Sequence, residues 1–353
     1  MTIRHFFAGS NSGEGFYSLF DNIIGPEARR VYLFKGGPGT GKSSFMRFIA
    51  EAMGKAGQDY ELFFCSSDSR ALDAVCFPHL GVALIDATAP HAREPQWPGC
   101  RDVLVCLGDF WSGKALEEKR EEIIAGGLIK QAHFASAFRY FSAALALEEN
   151  MAARNRSDSR DCSEDMEEIL ATIHGAKPGY LGKSGKTRHL FASALTPEGY
   201  VSHLENLLAE IITVYVLAGG PGTGKGEYLQ AIAHHAQALG FDVEAFHYPL
   251  DPRKLLHVII PALNLAVVTA TDLEPLGDLT GRRIECGCFQ NHLNAGDRKL
   301  WEELLQQGIN ALQQAQSSHI AVEGYYADAM DFAALTAYRD QVLAEILSYK
   351  NLS

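Results

Sequence analysis

Val31-Tyr-Leu-Phe-Lys-Gly-Gly-Pro-Gly-Thr-Gly-Lys-Ser43 is the stretch on which the reading of this chain turns. An apolar run enters a glycine-rich loop, and Lys42-Ser43 then opens the helical pattern Phe45, Met46, Phe48, Ile49. Gly36, Gly41, Lys42 and Ser43 fit the phosphate-binding pattern G-x-x-x-x-G-K-[ST] in its strand–loop–helix setting. Glycines let the backbone turn tightly enough for its N–H groups to point at phosphate oxygens, and the helix start adds a positive dipole end. The candidate nucleotide contacts are therefore Gly36, Gly37, Pro38, Gly39, Thr40, Gly41, Lys42, Ser43 and Ser44. Lys42 is expected to reach the β- and γ-phosphates, and the Ser43 hydroxyl to bind Mg²⁺. A plain glycine turn between a strand and a helix is the bland alternative.

Val214-Tyr-Val-Leu-Ala-Gly-Gly-Pro-Gly-Thr-Gly-Lys-Gly226 repeats the stretch 183 residues later, identical at nine of thirteen positions. This adds Gly219, Gly220, Pro221, Gly222, Thr223, Gly224, Lys225 and Gly226 as a second candidate site. The duplication extends outward. Arg4-His-Phe-Phe-Ala8 recurs as Arg188-His-Leu-Phe-Ala192, Glu14-Gly-Phe16 as Glu198-Gly-Tyr200, and Asn22 as Asn206. Amphipathic helices are expected over Ser43–Lys55 and Gly226–Leu239, and strands over Tyr60–Cys65 and Val243–Tyr248. Asp68-Ser-Arg70 and Asp251-Pro-Arg253 follow, then a short expected helix and a mostly apolar strand, Gly81–Asp86 in one half and Asn264–Thr269 in the other. Apolar strands alternating with helices imply a parallel sheet covered on both faces. Helical sequence closes each half, at Ala115–Met151 and then at Arg298–Gln314 and Tyr325–Tyr349. Ala152–Ser163, rich in Arg, Asp, Ser and Asn, reads as a linker, and Gly182-Lys-Ser-Gly-Lys186 as a loop.

Phosphate chemistry needs more than a loop: metal charge and a placed nucleophile are required too. Asp86 ends the apolar run Val82–Ile85, where an aspartate can help bind Mg²⁺ beside the loop serine; a turn cap before Pro90 is the alternative. Asp68 could orient a water or an acceptor hydroxyl, or could cap a helix starting at Ser69 or Arg70. Arg70, Asp109, Thr88 and His91 are weaker candidates. In the second half Lys225 is kept, while Ser43 becomes Gly226, Asp86 becomes Thr269 and, by a looser alignment, Asp109 becomes Cys288. Each exchange removes an oxygen ligand or charge of the kind Mg²⁺ prefers. The second site should bind phosphate without organising the metal, although Glu227 or Asp272 could still supply a carboxylate.

Composition sets the frame. With 353 residues, 47% hydrophobic and 21% charged, the chain has room for two ordinary globular domains. A net charge of −12 argues against a general grip on nucleic acid. Seven cysteines without framework spacing suggest a reducing compartment, with Cys286-Gly-Cys288 read as buried thiols. Met1-Thr-Ile-Arg-His-Phe-Phe lacks a signal-peptide layout, and the longest apolar runs, Ile211–Ala218 and Val258–Thr271, are too short to span a bilayer. A cytoplasmic protein without membrane attachment is the expectation.

With both loops in hand, the chain resembles the P-loop NTPases, and more narrowly a family of bacterial tandem-P-loop proteins labelled ATPases. The resemblance takes in Thr88-Ala-Pro-His91, Leu107-Gly-Asp-Phe-Trp111 and Tyr325-Tyr-Ala-Asp-Ala-Met-Asp-Phe332. It implies an α/β chain of two tandem P-loop NTPase domains, each a mainly parallel sheet flanked by helices, with helical C-terminal extensions. Residues 1–151 would form the domain with the complete Walker A motif, 152–187 a linker, and 188–353 the domain with the degenerate one. ATP or another nucleoside triphosphate, with Mg²⁺, is the implied ligand. The loop spelling is also similar to that of RecA/KaiC-like and AAA+ ATPases, yet Cys65-Ser-Ser-Asp68 lacks the paired glutamates of the first group and Asp86-Ala87 the Asp-Glu pair of the second.

Three functions compete on this reading. The leading one is an ATPase with an active first site (Lys42, Asp86 and Asp68 catalytic, Ser43 and Asp86 holding Mg²⁺) and a regulatory or structural second site. A nucleotide or small-molecule kinase could use Ala115–Met151 as a lid, with Lys114, Lys119, Arg120 and Arg139 gripping an anionic acceptor unless they pair with Glu117, Glu118, Glu121 and Glu122. A non-catalytic nucleotide-dependent switch or scaffold for a protein partner is the third.

Overall fold

A computed structural model describes residues 1–155, 162–176, 183–287 and 295–352. Parts of the expected linker (156–161 and 177–182) and Cys288 lie outside the described residues. The chain is α/β. In the first half, β1 (Ile3–Phe7), β5 (Tyr60–Cys65), β6 (Asp68–Phe77), β7 (Val82–Asp86), β4 (Arg30–Lys35) and β8 (Asp102–Cys106) form one sheet in that order. β9 (Thr187–Leu190), β13 (Val243–His247), β14 (Leu255–Ile260), β15 (Leu265–Thr269), β12 (Thr213–Ala218) and β16 (Arg282–Glu285) repeat the order in the second half. β6 and β14 run against their neighbours, and the remaining pairings are parallel.

The antiparallel strand replaces the short helix expected after Asp68. Ser66 and Ser67 alone separate β5 from β6, which is enough for a hairpin and far too little for a crossover helix. Asp68 therefore opens a strand and caps no helix. The strand carries a bulge: Phe63 pairs with Ala74 but Phe64 pairs with Leu72, so Asp73 is the extra residue. Side-chain direction follows. Leu72, Val75 and Phe77 face the helices while Ala74 and Cys76 face the other way. Leu72 would share the side of Ala74 without the bulge. Leu256 takes the same place in β14, between Leu255 opposite His247 and His257 opposite Phe246.

Helices cover one face of each sheet, not both. α1 (Lys42–Lys55) buries Phe45, Met46, Ile49 and Met53, a helical-period stripe, against Tyr32, Phe34 and Leu84. α8 (Phe332–Ser348) lies beside it and adds Leu335, Val342 and Ile346 to the same core. α6 (Lys225–Ala238) covers the second sheet together with α4 (Ser163–Gly175), which contributes Met166, Ile169 and Ile173. The opposite faces meet in one core shared by the halves, with Leu33, Phe63 and Ile85 from the first and Val216, Phe246 and Val268 from the second.

The helical extensions are thus exchanged. α4 lies in the stretch read as a linker yet packs on the second sheet, while α8 ends the chain and packs on the first. Two long helices carry the crossing, α3 (Arg120–Asn155) after the short α2 (Gly113–Glu118), and α7 (Ala295–Ala329). α3 and α7 run antiparallel, as the contacts Lys130–His319 and Arg154–Asp297 require.

Hairpins from both halves interlock as well. β2 (Gly9–Ser12) with β3 (Gly15–Ser18) and β10 (Ser193–Thr196) with β11 (Gly199–Ser202) build a single four-stranded sheet, joined where Leu195 meets Asn11. α5 (Leu204–Leu208) follows and adds Leu204, Leu207 and Leu208 to the shared core.

Two crossed ion pairs secure this interface. Arg4 holds Glu244 at 2.6 Å through both terminal guanidinium nitrogens, and Arg188 holds Glu61 at 2.8 and 2.7 Å. Asn206 accepts from the His5 backbone N–H, and Asn22 accepts from that of His189. Among the described residues, no helix is long and apolar enough to cross a membrane.

Glu61 is 5% exposed, so removing its partner leaves a buried carboxylate unpaired. Arg188→Met should lower unfolding free energy by about 3–5 kcal/mol, and Arg188→Met combined with Glu61→Leu should recover much of that loss. Denaturant titration of the three proteins measures both values.

Candidate functional site

The first glycine loop leaves β4 and ends in α1, whose first residue is Lys42 and whose N-cap is Gly41. Thr40 braces the turn by donating its hydroxyl to the Gly37 carbonyl at 2.8 Å. The Lys42 ammonium folds back onto the Gly36 and Gly37 carbonyls at 2.9 and 2.8 Å and stands 3.5 Å from Asp86 Oδ2. Asp86 occupies the last position of β7, beside Phe34 of β4. Its other oxygen accepts from the Thr88 backbone, while the Thr88 hydroxyl donates to Gly36. Thr88 therefore ties the loop to the end of β7. His91 lies stacked on Phe20 with ring centroids 4.4 Å apart.

Ser43 Oγ accepts the Leu72 backbone N–H at 2.9 Å. The start of α1 is thereby fastened to the bulged strand. A cavity of about 790 Å³ opens here, lined by the loop from Pro38 through Ser44 and by Asp68, Asp73 and Asp86. Gly36 and Gly37 are not among its lining residues and serve as carbonyl partners of Lys42. Asp68 sits at the rim, its side chain 37% exposed, where it accepts from the Arg70 backbone; Arg70 itself is largely exposed. Asp109 stands in the 3-10 turn Leu107–Phe110 and is not among the residues lining the cavity.

The cover of this cavity comes from the second half. His319 and Glu323 of α7 and Phe332, Leu335, Thr336 and Arg339 at the α8 end complete the wall. Gly39 has a φ of 70°, and a Cβ there would run into the Glu323 carbonyl, so both conformation and space demand glycine. Lys130 of α3 reaches His319 Nδ1 at 3.0 Å. Burial, with Lys130 and Lys42 nearby, pushes His319 down to about 4. Burial and the neighbouring Asp68 raise Glu323 above the usual carboxylate range.

The second loop copies the backbone plan. Thr223 braces Gly220 at 2.9 Å, and Lys225, first residue of α6, folds onto Gly219 and Gly220 at 2.5 and 2.7 Å. Its third contact is the Thr223 hydroxyl at 3.1 Å, and β15 ends in Thr269 where β7 ends in Asp86. Gly226 leaves no hydroxyl at the Ser43 position. Burial drives the Lys225 ammonium down to about 8.

The smaller second cavity, about 420 Å³, has its own reciprocal cover: Glu148, Glu149, Met151 and Ala152 of α3, with Trp301 of α7. A Cβ on Gly222 would strike the Ala152 carbonyl, as one on Gly39 would strike Glu323. The helical insert expected as a lid over the first cavity therefore delivers its far end to the second. Lys114, Lys119, Arg120 and Arg139 line neither cavity; Lys119 pairs with Glu122 at 3.2 Å. Asp251 is buried and tied to Arg253 and Lys254 at 2.7 and 2.9 Å. Asp272 lines the cavity and stands 3.3 Å from Arg298, and Glu227 lines it too.

The residues that motif reading passed over are Asp73, His319 and Glu323 at the first cavity and Glu148, Tyr248 and Trp301 at the second. One of them left a trace: the 183-residue offset sets Asp73 against Leu256, a carboxylate against an aliphatic chain. Glu148, His319 and Glu323 left none, since the cavity each lines belongs to the other half. Comparison of the chain with protein-family models, curated proteins and solved structures gives no match.

Glu148 carries a measurable signature. Burial pushes its carboxyl up to about 7, against the opposing pull of the Tyr248 hydroxyl 2.9 Å away and of Lys254. A folded pKa above the unfolded one means stabilisation that is complete below about pH 4.5 and lost as pH rises through about 7. Glu148→Gln cannot ionise, so its stability relative to wild type should climb by on the order of 2–3 kcal/mol between pH 5 and pH 7.5. Denaturant titrations at the two pH values measure that change.

Proposed function

We propose that the chain binds ATP, or another nucleoside triphosphate, at the first glycine loop and hydrolyses it with Mg²⁺, and that the second loop is a regulatory or structural nucleotide site. In this reading the halves are tandem P-loop NTPase domains. The observation that carries it is convergence: Asp86, far from the loop in sequence, lines one cavity with Lys42 and Ser43. The donor chemistry suits the ion. A hydroxyl and a carboxylate are the hard oxygen ligands that Mg²⁺ takes, and Ser43 and Asp86 would hold it, where its charge would offset that of the phosphates. Lys42, now held by loop carbonyls, would turn to the phosphate oxygens.

The second loop keeps a cation and a backbone cradle but has Gly226 and Thr269 in place of the two oxygen-bearing groups. That supports phosphate binding without an organised metal. The crossed covers favour a further reading of the same sites, a switch in which nucleotide at each loop sets the seating of the other half's helix for a protein partner. The charge of −12 speaks against nucleic acid as that partner.

Mg²⁺-dependent phosphate release from ATP should fall at least about 100-fold in Lys42→Ala, the scale of losing one charge-stabilising group. Lys225→Ala should change turnover only modestly while lowering nucleotide stoichiometry from two to one. Equal losses in both variants would contradict the assignment of an active and a silent site. Turnover absent from wild type, with binding intact, would favour the switch.

A further inference from the structure

We propose that Asp73 is the catalytic carboxylate of the first cavity, the group that takes the proton from a water attacking the γ-phosphorus of a bound nucleoside triphosphate. The inference rests on the reading of that cavity as a hydrolytic site and names a residue outside the glycine-loop motif.

Three observations converge on it. Asp73 is the bulge residue of β6, and bulges re-aim side chains beside functional sites. The bulge turns the carboxylate into the cavity wall, in company with Lys42, Ser43 and Asp86. Burial gives the second observation. Asp73 is 4% exposed, and its Oδ2 has no hydrogen-bond partner among the described residues. A buried carboxylate oxygen left unpaired costs stability, and Asp73 is among the residues lining the cavity. The duplicate supplies the third. The second half keeps the bulge but fills it with Leu256, 3% exposed and lining the second cavity. Backbone geometry alone therefore does not require a carboxylate there. The second half lacks the acid together with the Ser43 hydroxyl and the Asp86 carboxylate. The bond from Leu72 N–H to Ser43 Oγ fastens the residue before Asp73 to the start of α1, so the carboxylate and the loop keep a set relation.

The step balances with water and the triphosphate alone. The water oxygen forms a bond to the γ-phosphorus, and the bond from that phosphorus to its bridging oxygen breaks. The electron pair leaves with the nucleoside diphosphate. The water proton goes to the Asp73 carboxylate and returns to solvent with release of phosphate. Asp68, exposed at the rim and held by Arg70, is the poorer base.

The test compares wild type, Asp73→Asn and Asp73→Leu in three measurements: steady-state phosphate release from MgATP, affinity for a fluorescent ATP analogue, and melting temperature without nucleotide. Both variants should lose about 100-fold or more in kcat, the usual share of a general base, with affinity within about threefold of wild type. Asp73→Leu should melt at or above the wild-type temperature, since it removes an unpaired buried charge. Turnover within about threefold of wild type in Asp73→Asn would overturn the inference, as would an affinity loss matching the turnover loss. A clearly lower melting temperature for Asp73→Leu would also overturn it, by making the carboxylate structural. Wild type that binds nucleotide without hydrolysing it removes the catalytic role alone, whereas wild type that binds none removes the reading of the cavity as well.

Discussion

Two guanidinium–carboxylate pairs, crossed between the halves, set the frame in which everything else sits. Arg4 lies directly opposite Glu61 within its own sheet, and Arg188 opposite Glu244, yet each arginine reaches the glutamate of the other sheet. Both glutamates are buried in the company of Phe6, Phe63 and Phe246, whose rings stack at 5.3 and 6.2 Å. Charges in such surroundings are tolerable when their partners are bidentate and their remaining hydrogen bonds are met. Arg188 meets that condition by donating also to the carbonyls of Asn22 and Ile23. Geometry this demanding allows one relative placement of the two sheets. Aromatic packing alone would tolerate several.

That placement explains why the helices cross. With one face of each sheet committed to the shared core, the outer face needs two helices to close it, and each half supplies one for itself and one for its neighbour. The glycine loops lie on the helix-covered side, where α1 and α6 begin. Their cavities consequently acquire walls from both halves, α7 over the first loop and α3 over the second. α3 and α7 pack along each other between the two loops.

Much of this was legible in the residues themselves. The offset of 183 located both halves, both loops and the strands around them, and the identical strand orders follow from it. The reciprocal amides were visible as Asn22 and Asn206 before any role could be given to them. Other features were illegible for physical reasons. A Leu335–Val342–Ile346 stripe declares an apolar face but not which of two similar sheets receives it. The stretch after Asp68 begins with a residue favoured at helix N-caps, and only the two-residue gap from β5 and the continuous burial of Leu72–Phe77 make it a strand. Asp73 lies inside a strand, where no motif places a metal-binding or catalytic carboxylate. A bulge shifts the alternation by one residue, and with both faces of β6 buried from Leu72 to Phe77 that shift leaves no polar–apolar mark.

The crossed helices have a consequence for how the two sites could come to differ. Two identical chains exchanging helices about a twofold axis must carry the same residues at both cavities, so a serine lost from one is lost from the other. Joining the copies into a single polypeptide lifts that constraint while leaving the exchange in place. Gly226, Thr269 and Leu256 stand at one cavity, and Ser43, Asp86 and Asp73 at the other. Such a division of labour is open to a fused pair and closed to a symmetric dimer.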